Sequence, residues 1–465
     1  MKIQFGFFST ILIWLVFAGC AKQNDFLQPE NNASLLKSAN LKQVYDMVPN
    51  EVLVRFKEGI DENNKTRVIG KLQGKQKERI LTDEMSRHGD KQGIELISMP
   101  GSVADAILAM KGAPEVEYAE PNYIYTHQDI SNDTYYTSGQ LWGMYGAASP
   151  LKTNTYGSRA GEAWANGHTG SALVFIGIID EGYMYTHEDI AANAGKNPGE
   201  IAGNGIDDDG NGYKDDVYGW DFDGNNSSVF DGVNDDHGTH VAGTIGGVGG
   251  NGKGVAGMCW SVRLLDTKFL GSRGGTTANA IKAVDYFTNL KTRVSNRVNI
   301  IATNNSWGGG GFSQGLQDAI ERANAANILF IAAAGNDGAN TETSTSYPSG
   351  YSNANIIAVA SINSSGSLSS WSNYAATKVD LGAPGEGIYS SVPVSVKRNA
   401  VSGYASYSGT SMATPHVTGA AALYASTHPG ATAAQIKAAI LGATTPTASL
   451  SGKCVTGGRL NVSGF

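Results

Sequence analysis

The spacing of hydrophobic positions changes along the chain, and the changes divide it. An apolar run from Phe5 to Phe17 follows Lys2 and ends in Ala18-Gly19-Cys20. Residues 1–20 therefore have the charged start, apolar centre and small-residue exit of a secretory signal, too short for a spanning helix. Residues 21–45 are polar, rich in Asn, Ser, Lys and Gln, and without a sustained period, which reads as a linker. From 46 to 127 short patterns predict a small α+β unit. Glu51–Phe56, Ile94–Met99 and Val116–Tyr118 alternate as strands do, and Lys65–Leu72 and Ser102–Lys111 are the intervening helices. In the second helix Val103, Ile107 and Met110 share one face at spacings of four and three. The result is a split β-α-β arrangement.

Between 128 and 465 the pattern is different. Ala172–Ile179, Val262–Phe269, Val298–Thr303, Ile328–Ala334 and Ile356–Ser361 are near-continuous apolar runs, as strands buried on both faces are. Helical stretches alternate with them: His237–Gly246, Thr276–Leu290 and Ser313–Ala326, the last behind a Ser313 cap. Thr432 and Gln435 form a capping box for a final helix, Ala433–Leu441. This predicts a three-layer α/β fold with a mainly parallel sheet. Ligands of such sheets bind at the carboxyl ends of the strands, where Asp180 and Asn336 stand.

Composition narrows the function. Of 465 residues 60 are glycine, roughly double the usual ~7%, and 16% are charged against a usual ~25%, which suits a compact, loop-rich enzyme. A net charge of -8 and the absence of a basic stripe with interleaved aromatics exclude nucleic acid as the expected partner. Apart from Cys20 the cysteines are Cys259 and Cys454, which either pair in an oxidising compartment or stand as two buried thiols.

The chemistry gathers on Gly409-Thr410-Ser411-Met412-Ala413-Thr414-Pro415-His416-Val417, a small-residue turn opening into an alanine-rich run. A serine nucleophile needs a base, a partner that orients the base, and donors for the developing oxyanion. Upstream stand Asp180 after Val174–Ile179, His237 in Asp236-His237-Gly238-Thr239-His240, and Asn336 after Ala332-Ala333-Ala334-Gly335. Asp, His, Ser is one of the three known triad orders.

These four motifs, in this order, resemble those of the subtilases, the subtilisin-like serine peptidases. The resemblance implies that Asp180, His237 and Ser411 form a triad and that Asn336 and the Ser411 N–H hold the oxyanion. His240 is left as a helix residue. Glu181 departs from the family pattern, which has Ser or Thr between the aspartate and the glycine, and at a strand exit it is expected to face solvent. The 46–127 unit resembles the inhibitory propeptide of the family, ferredoxin-like in fold, and Tyr118-Ala119-Glu120-Pro121-Asn122-Tyr123 resembles its ending. A cut is then expected between Thr126 and Thr137. Peptide substrate is expected to pair with Ser306-Trp307-Gly308 and Gly274-Gly275. Gly308, Ala333, Ala334 and Gly335 would wall the primary specificity pocket, and Ser346 would floor it.

Asp207, Asp209 and Asn211 alternate before Gly212 and are followed by Asp215 and Asp216, as in a calcium loop that lacks its final Glu. Five aspartates in ten residues repel one another without a cation, and hard oxygens favour structural Ca²⁺. Ala18-Gly19-Cys20 resembles a bacterial lipobox, in which Cys20 carries the lipid. The expectation is a monomeric, secreted or envelope-anchored serine endopeptidase made as a self-processing zymogen. Its partners are peptide or protein substrates and its own propeptide, and it meets the membrane only through Cys20. A catalytically silent subtilase-like binding protein is the alternative.

Overall fold

A computed structural model describes residues 47–123, 130–292 and 297–465. The signal, the linker, Cys20 and residues 126–129 of the expected cut lie outside the described residues. The chain divides between Tyr125 and Thr126 into two compact units.

In the first unit the order is β1 (Met47–Phe56), α1 (Glu62–Gly70), β2 (Lys75–Ile80), α2 (Asp83–Arg87), β3 (Ile94–Ser98), α3 (Val103–Lys111) and β4 (Val116–Tyr123). The strands form an antiparallel sheet in the order β2-β3-β1-β4. Val52, Val54 and Phe56 alternate along β1 and pack with Val68 and Ile69 of α1 and Val103, Ala106 and Met110 of α3. The Ser102 hydroxyl caps α3 by accepting from the Asp105 N–H. Lys65 is buried between Glu62 and Glu95, so its charge is neutralised where water cannot reach it.

The second unit is built on a nine-stranded sheet. Its strands are β5 (Gly170–Asp180), β6 (Gly219–Asp221), β7 (Ser261–Lys268), β8 (Ile300–Asn305), β9 (Leu329–Ala333), β10 (Ile356–Ile362), β11 (Leu381–Pro384), β14 (Thr445–Pro446) and β15 (Gly458–Arg459). A separate hairpin pairs β12 (Ile388–Val396) with β13 (Asn399–Tyr407). The sheet order is β14-β15-β11-β10-β9-β8-β5-β7-β6, parallel except for β14 against β15.

Two short helices, α4 (Thr134–Thr137) and α5 (Ala160–Ala165), precede the long ones: α6 (Asp236–Gly246), α7 (Thr277–Thr292), α8 (Gln314–Ala325), α9 (Thr410–Thr427) and α10 (Ala433–Gly442). Alternation along the strands sorts the core into two layers. Ile176 and Ile178 of β5 and Leu264 of β7 pack with Val241 and Ile245 of α6 and Val417 and Ala420 of α9. Ile179 and Leu265 instead meet Phe287 of α7 and Ile320 of α8. Gly177 is needed on that second face, because any Cβ there would strike the Phe287 ring at 2.7 Å. The Ser313 cap and the Thr432–Gln435 capping box both form.

Candidate active site

β5 pairs with β7 on one side and β8 on the other, so the strand order reverses beside it, and in such sheets the crevice that binds ligands lies beyond the carboxyl ends of the strands at that point. Asp180 is the last residue of β5, and its side chain is fully buried. The chain returns 56 residues later as α6, with His237 in its first turn. Asp180 Oδ1 lies 2.8 Å from His237 Nδ1 and also accepts the Glu181 N–H at 2.9 Å. Asp180 Oδ2 meets no donor. Burial alone would drive His237 toward its neutral form. The charge and hydrogen bond of Asp180, with Glu181 and Asp236 behind them, outweigh burial and raise its pKa to about 9.

Glu181 does not face solvent, which corrects the expectation from sequence. Its Oε1 accepts the backbone N–H of His237 at 2.7 Å. Burial, then the charge of Asp180, push its carboxyl up to about 7.

Ser411 is the second residue of α9, where the first backbone N–H groups have no acceptor within the helix. Its hydroxyl donates to the Ser306 carbonyl at 3.1 Å. Asn336 lies just beyond β9, where Gly335 turns the chain at φ +104° with Asn373 packed where a Cβ would stand. Asn336 Oδ1 accepts both the N–H and the hydroxyl of Thr410 at 2.9 Å. With the oxygen held at the N-terminus of α9, the amide Nδ2 is the end left for a ligand.

His240 is buried, stacks on Tyr407 with ring centroids 4.6 Å apart and shares a 2.9 Å hydrogen bond with the Ile388 carbonyl. Burial lowers its pKa to about 3, and that of buried His416 to about 4, so both stay neutral and neither is a base in the working pH range.

The Gly309 N–H donates to the Tyr347 carbonyl at 3.3 Å, which brings Gly308 and Gly309 beside Tyr347, the residue after Ser346. Ser346 Oγ lies 3.4 Å from where a Cβ on Gly335 would stand. Ala333 and Ala334 are buried. Trp307 packs edge-on against Phe269 at 4.9 Å, and Gly275 lies against the same ring. Gly274 closes a small bridge with Gly271.

The acidic loop is assembled differently from its linear pattern. Carboxylate oxygens of Glu200, Asp207 and Asp209 lie within 4.8 Å of one another, a set that could hold a cation. Asn211 stands beside it, its amide on Asp216. Asp215 turns away to accept the N–H groups of Asn204 and Gly205. Asp216 is buried, takes the Tyr286 hydroxyl at 2.6 Å, and has its pKa pushed up to about 6 by burial. Sequence reasoning missed Glu200, which stands seven residues before the loop and accepts from the N–H groups of Asp208, Asp209 and Asp215. It also missed the clamp in which buried Asp133 accepts from Gly250, Asn251 and Gly252, while Asp189 accepts from Asn251 and Val255. Cys259 and Cys454 are separate buried thiols.

Residues 171–457 match the model of the Subtilase family, and residues 37–122 match that of the fervidolysin N-terminal prodomain. A thermophilic serine proteinase of Bacillus sp. (strain AK1) is 32% identical over 407 residues, covering 87% of this chain and 84% of that protein. Thermitase of Thermoactinomyces vulgaris is 36% identical over 310 residues, 66% of this chain and 89% of its own. Among solved structures, a protease of Pseudoalteromonas arctica PAMC 21717 superposes with a TM-score of 0.55 at 26% identity, covering 72% of this chain and 97% of that one.

Proposed function

The chain belongs to the subtilase family and is a serine endopeptidase with an N-terminal prodomain, and on that premise we propose that Asp180, His237 and Ser411 are its catalytic triad. The observation that carries this is the 2.8 Å bond between Asp180 and His237 Nδ1 on α6, a helix that shares a core with α9, at whose head Ser411 stands. That bond fixes the tautomer, leaving Nε2 to take the Ser411 proton as Oγ attacks the scissile carbonyl. His237 then returns the proton to the leaving amine, and water repeats the sequence on the acyl-enzyme. The Ser411 N–H and Asn336 Nδ2 receive the oxyanion. Substrate backbone pairs with 306–308 and 274–275, and its side chain enters between Gly308, residues 333–335 and Ser346. A small, uncharged floor suits large apolar side chains.

Residues 46–127 act as the inhibitory propeptide, and residues 128–465 form the catalytic domain that removes it. Residues 1–20 direct export, with a lipid on Cys20. Three converging carboxylates that form no ion pair among the described residues fit a hard divalent cation, so Glu200, Asp207 and Asp209, with Asn211 adjacent, would hold structural Ca²⁺. A bound ion there would neutralise the loop and tie it to the fold. Labelling with a serine-directed fluorophosphonate, followed by peptide mapping, tests the central assignment. Modification at Ser411, lost in His237→Ala, is expected, and modification of another serine overturns it.

A further inference from the structure

Three hydrogen bonds close a ring at the crevice. The Asp180 carboxylate takes the backbone N–H of Glu181, the Glu181 carboxylate takes the backbone N–H of His237, and the His237 ring returns to Asp180. The bonds are 2.9, 2.7 and 2.8 Å long and join the end of β5 to the first turn of α6. A free N–H in that first turn has no acceptor of its own, and a carboxylate there is doubly favoured by the bond and by the positive end of an eleven-residue helix. Resting on the triad reading above, we propose that Glu181 is a positioning residue for the general base: it pins the backbone of His237 while Asp180 pins the ring.

Without the Glu181 bond, the backbone at His237 is free to shift. A displacement of well under 1 Å is enough to spoil alignment of Nε2 with a serine hydroxyl. Glu181 also keeps a negative charge beside the imidazolium that forms during reaction. The charged and titratable groups facing His237 are Asp180 and Glu181 at the end of β5 and Asp236 and His240 on α6. From β13 the Tyr407 hydroxyl donates to Asp236, and from β7 Lys268 is taken up by Asp235 and Asp231. Burial, then the charge of Asp180, push the Glu181 carboxyl up to about 7, and Glu181 is one of the carboxylates whose charge raises His237 to about 9.

The test is the pH profile of kcat/KM for the full-length, self-matured enzyme on a neutral peptide, as wild type, Glu181→Gln and Glu181→Ala. Gln keeps an oxygen that can accept the His237 N–H but removes the charge. Its acidic limb should move down by about half to one pH unit, as expected for one charge lost a few ångströms away. Its plateau kcat should fall about two- to threefold. Ala removes the cap as well and should lose about tenfold or more in kcat with KM changed less than twofold. An acidic limb that stays in place in Glu181→Gln overturns the proposal, as does wild-type kcat in Glu181→Ala. If Ala fails to mature, the Gln profile still decides. Ser411→Ala and His237→Ala run in parallel: activity surviving in either sinks the triad reading, whereas their inactivity beside unaltered Glu181 variants sinks this proposal alone.

Discussion

Ser306 and Ser411 hold each other by two reciprocal hydrogen bonds: Ser411 Oγ donates to the Ser306 carbonyl at 3.1 Å, and Ser306 Oγ donates to the Ser411 carbonyl at 2.8 Å. The second bond exists because of Pro415. Proline has no N–H, so the carbonyl four residues before it in α9 has no helical partner and turns to Ser306. The first bond parks the proposed nucleophile on the backbone edge proposed to pair with substrate. A peptide N–H that takes the Ser306 carbonyl would displace the hydroxyl and free it for His237.

Ser306→Ala removes the bond to the Ser411 carbonyl and leaves the 306 carbonyl in place. One net hydrogen bond is worth about 1 kcal/mol. The head of α9 should loosen, with kcat/KM down about fivefold and Ser411 still open to fluorophosphonate labelling. Steady-state kinetics on a short peptide check both.

Asn336→Ala should lower kcat by about 10²–10³-fold with little change in KM, a magnitude borrowed from the corresponding donor of a related subtilisin. The same change also frees the Thr410 N–H and hydroxyl, so Asn336→Asp separates the two effects. Asp keeps the acceptor for Thr410 but has no donor for an oxyanion, and should be as slow as Ala while melting like wild type.

Much of this was legible in the sequence where a signal is local. The strands β5 and β7 to β10 read as apolar runs because both faces are buried, and the four motif residues lie at element ends that periodicity can find. β2 did not read as a strand, since Lys75–Ile80 is exposed nearly throughout and is held by backbone pairing to β3 and by polar side-chain bonds such as Gln76 to Glu95 and Lys77 to Glu51. The β12–β13 hairpin was hidden by its Ser, Gly and Pro content. Glu181 was misjudged because its partner arrives 56 residues later in the chain. Glu200 escaped because nothing at its own position reports that the loop folds back onto it.

Stability should fall as pH rises from about 6 to 9. Burial first, partly opposed by its hydrogen bonds to Asn251 and Val255, pushes Asp189 up to about 7, and Glu181 is likewise raised to about 7. Between the ordinary carboxyl range and 7 the folded chain therefore holds protons that the unfolded chain has released. That contribution is present at low pH and lost as pH passes 7. His237, raised to about 9, acts in the same direction: its contribution is complete below about 6.5 and lost through 9. Melting of the Ser411→Ala protein in EDTA should give a higher Tm at pH 6 than at pH 8.5.

Calcium that binds only the folded loop adds stability with the logarithm of its concentration, about 2.7 kcal/mol at 100 times Kd. Ser411→Ala should melt higher in excess calcium than in EDTA, and Glu200→Gln should lose part of that difference. Identical melting curves in calcium and EDTA would remove the loop as a site of consequence.

Propeptide removal is expected to leave a mature N-terminus at or before Ser131. Sequence alone allowed a cut anywhere from Thr126 to Thr137. Ser131, Asp133 and Tyr136 are buried in the second unit, and Asp133 accepts the N–H groups of Gly250, Asn251 and Gly252 at 2.7, 3.0 and 3.1 Å. A cut at or beyond Asp133 would strip that anchor and leave three donors unpaired. Cys20 stands on the propeptide side of any such cut, so processing should part the catalytic domain from a lipid held there. One acyl chain binds a membrane only marginally, whereas two or more hold it stably. No helix among the described residues is long and apolar enough to cross a membrane. Ser411→Ala should therefore accumulate unprocessed and pellet with membranes, while the wild-type catalytic domain appears in the soluble fraction with its N-terminus, read by sequencing, no later than Ser131. A fully active, normally melting enzyme that begins at Thr134 or later would refute the placement of the cut, and processed enzyme still on the membrane after the propeptide is degraded would refute the order of release.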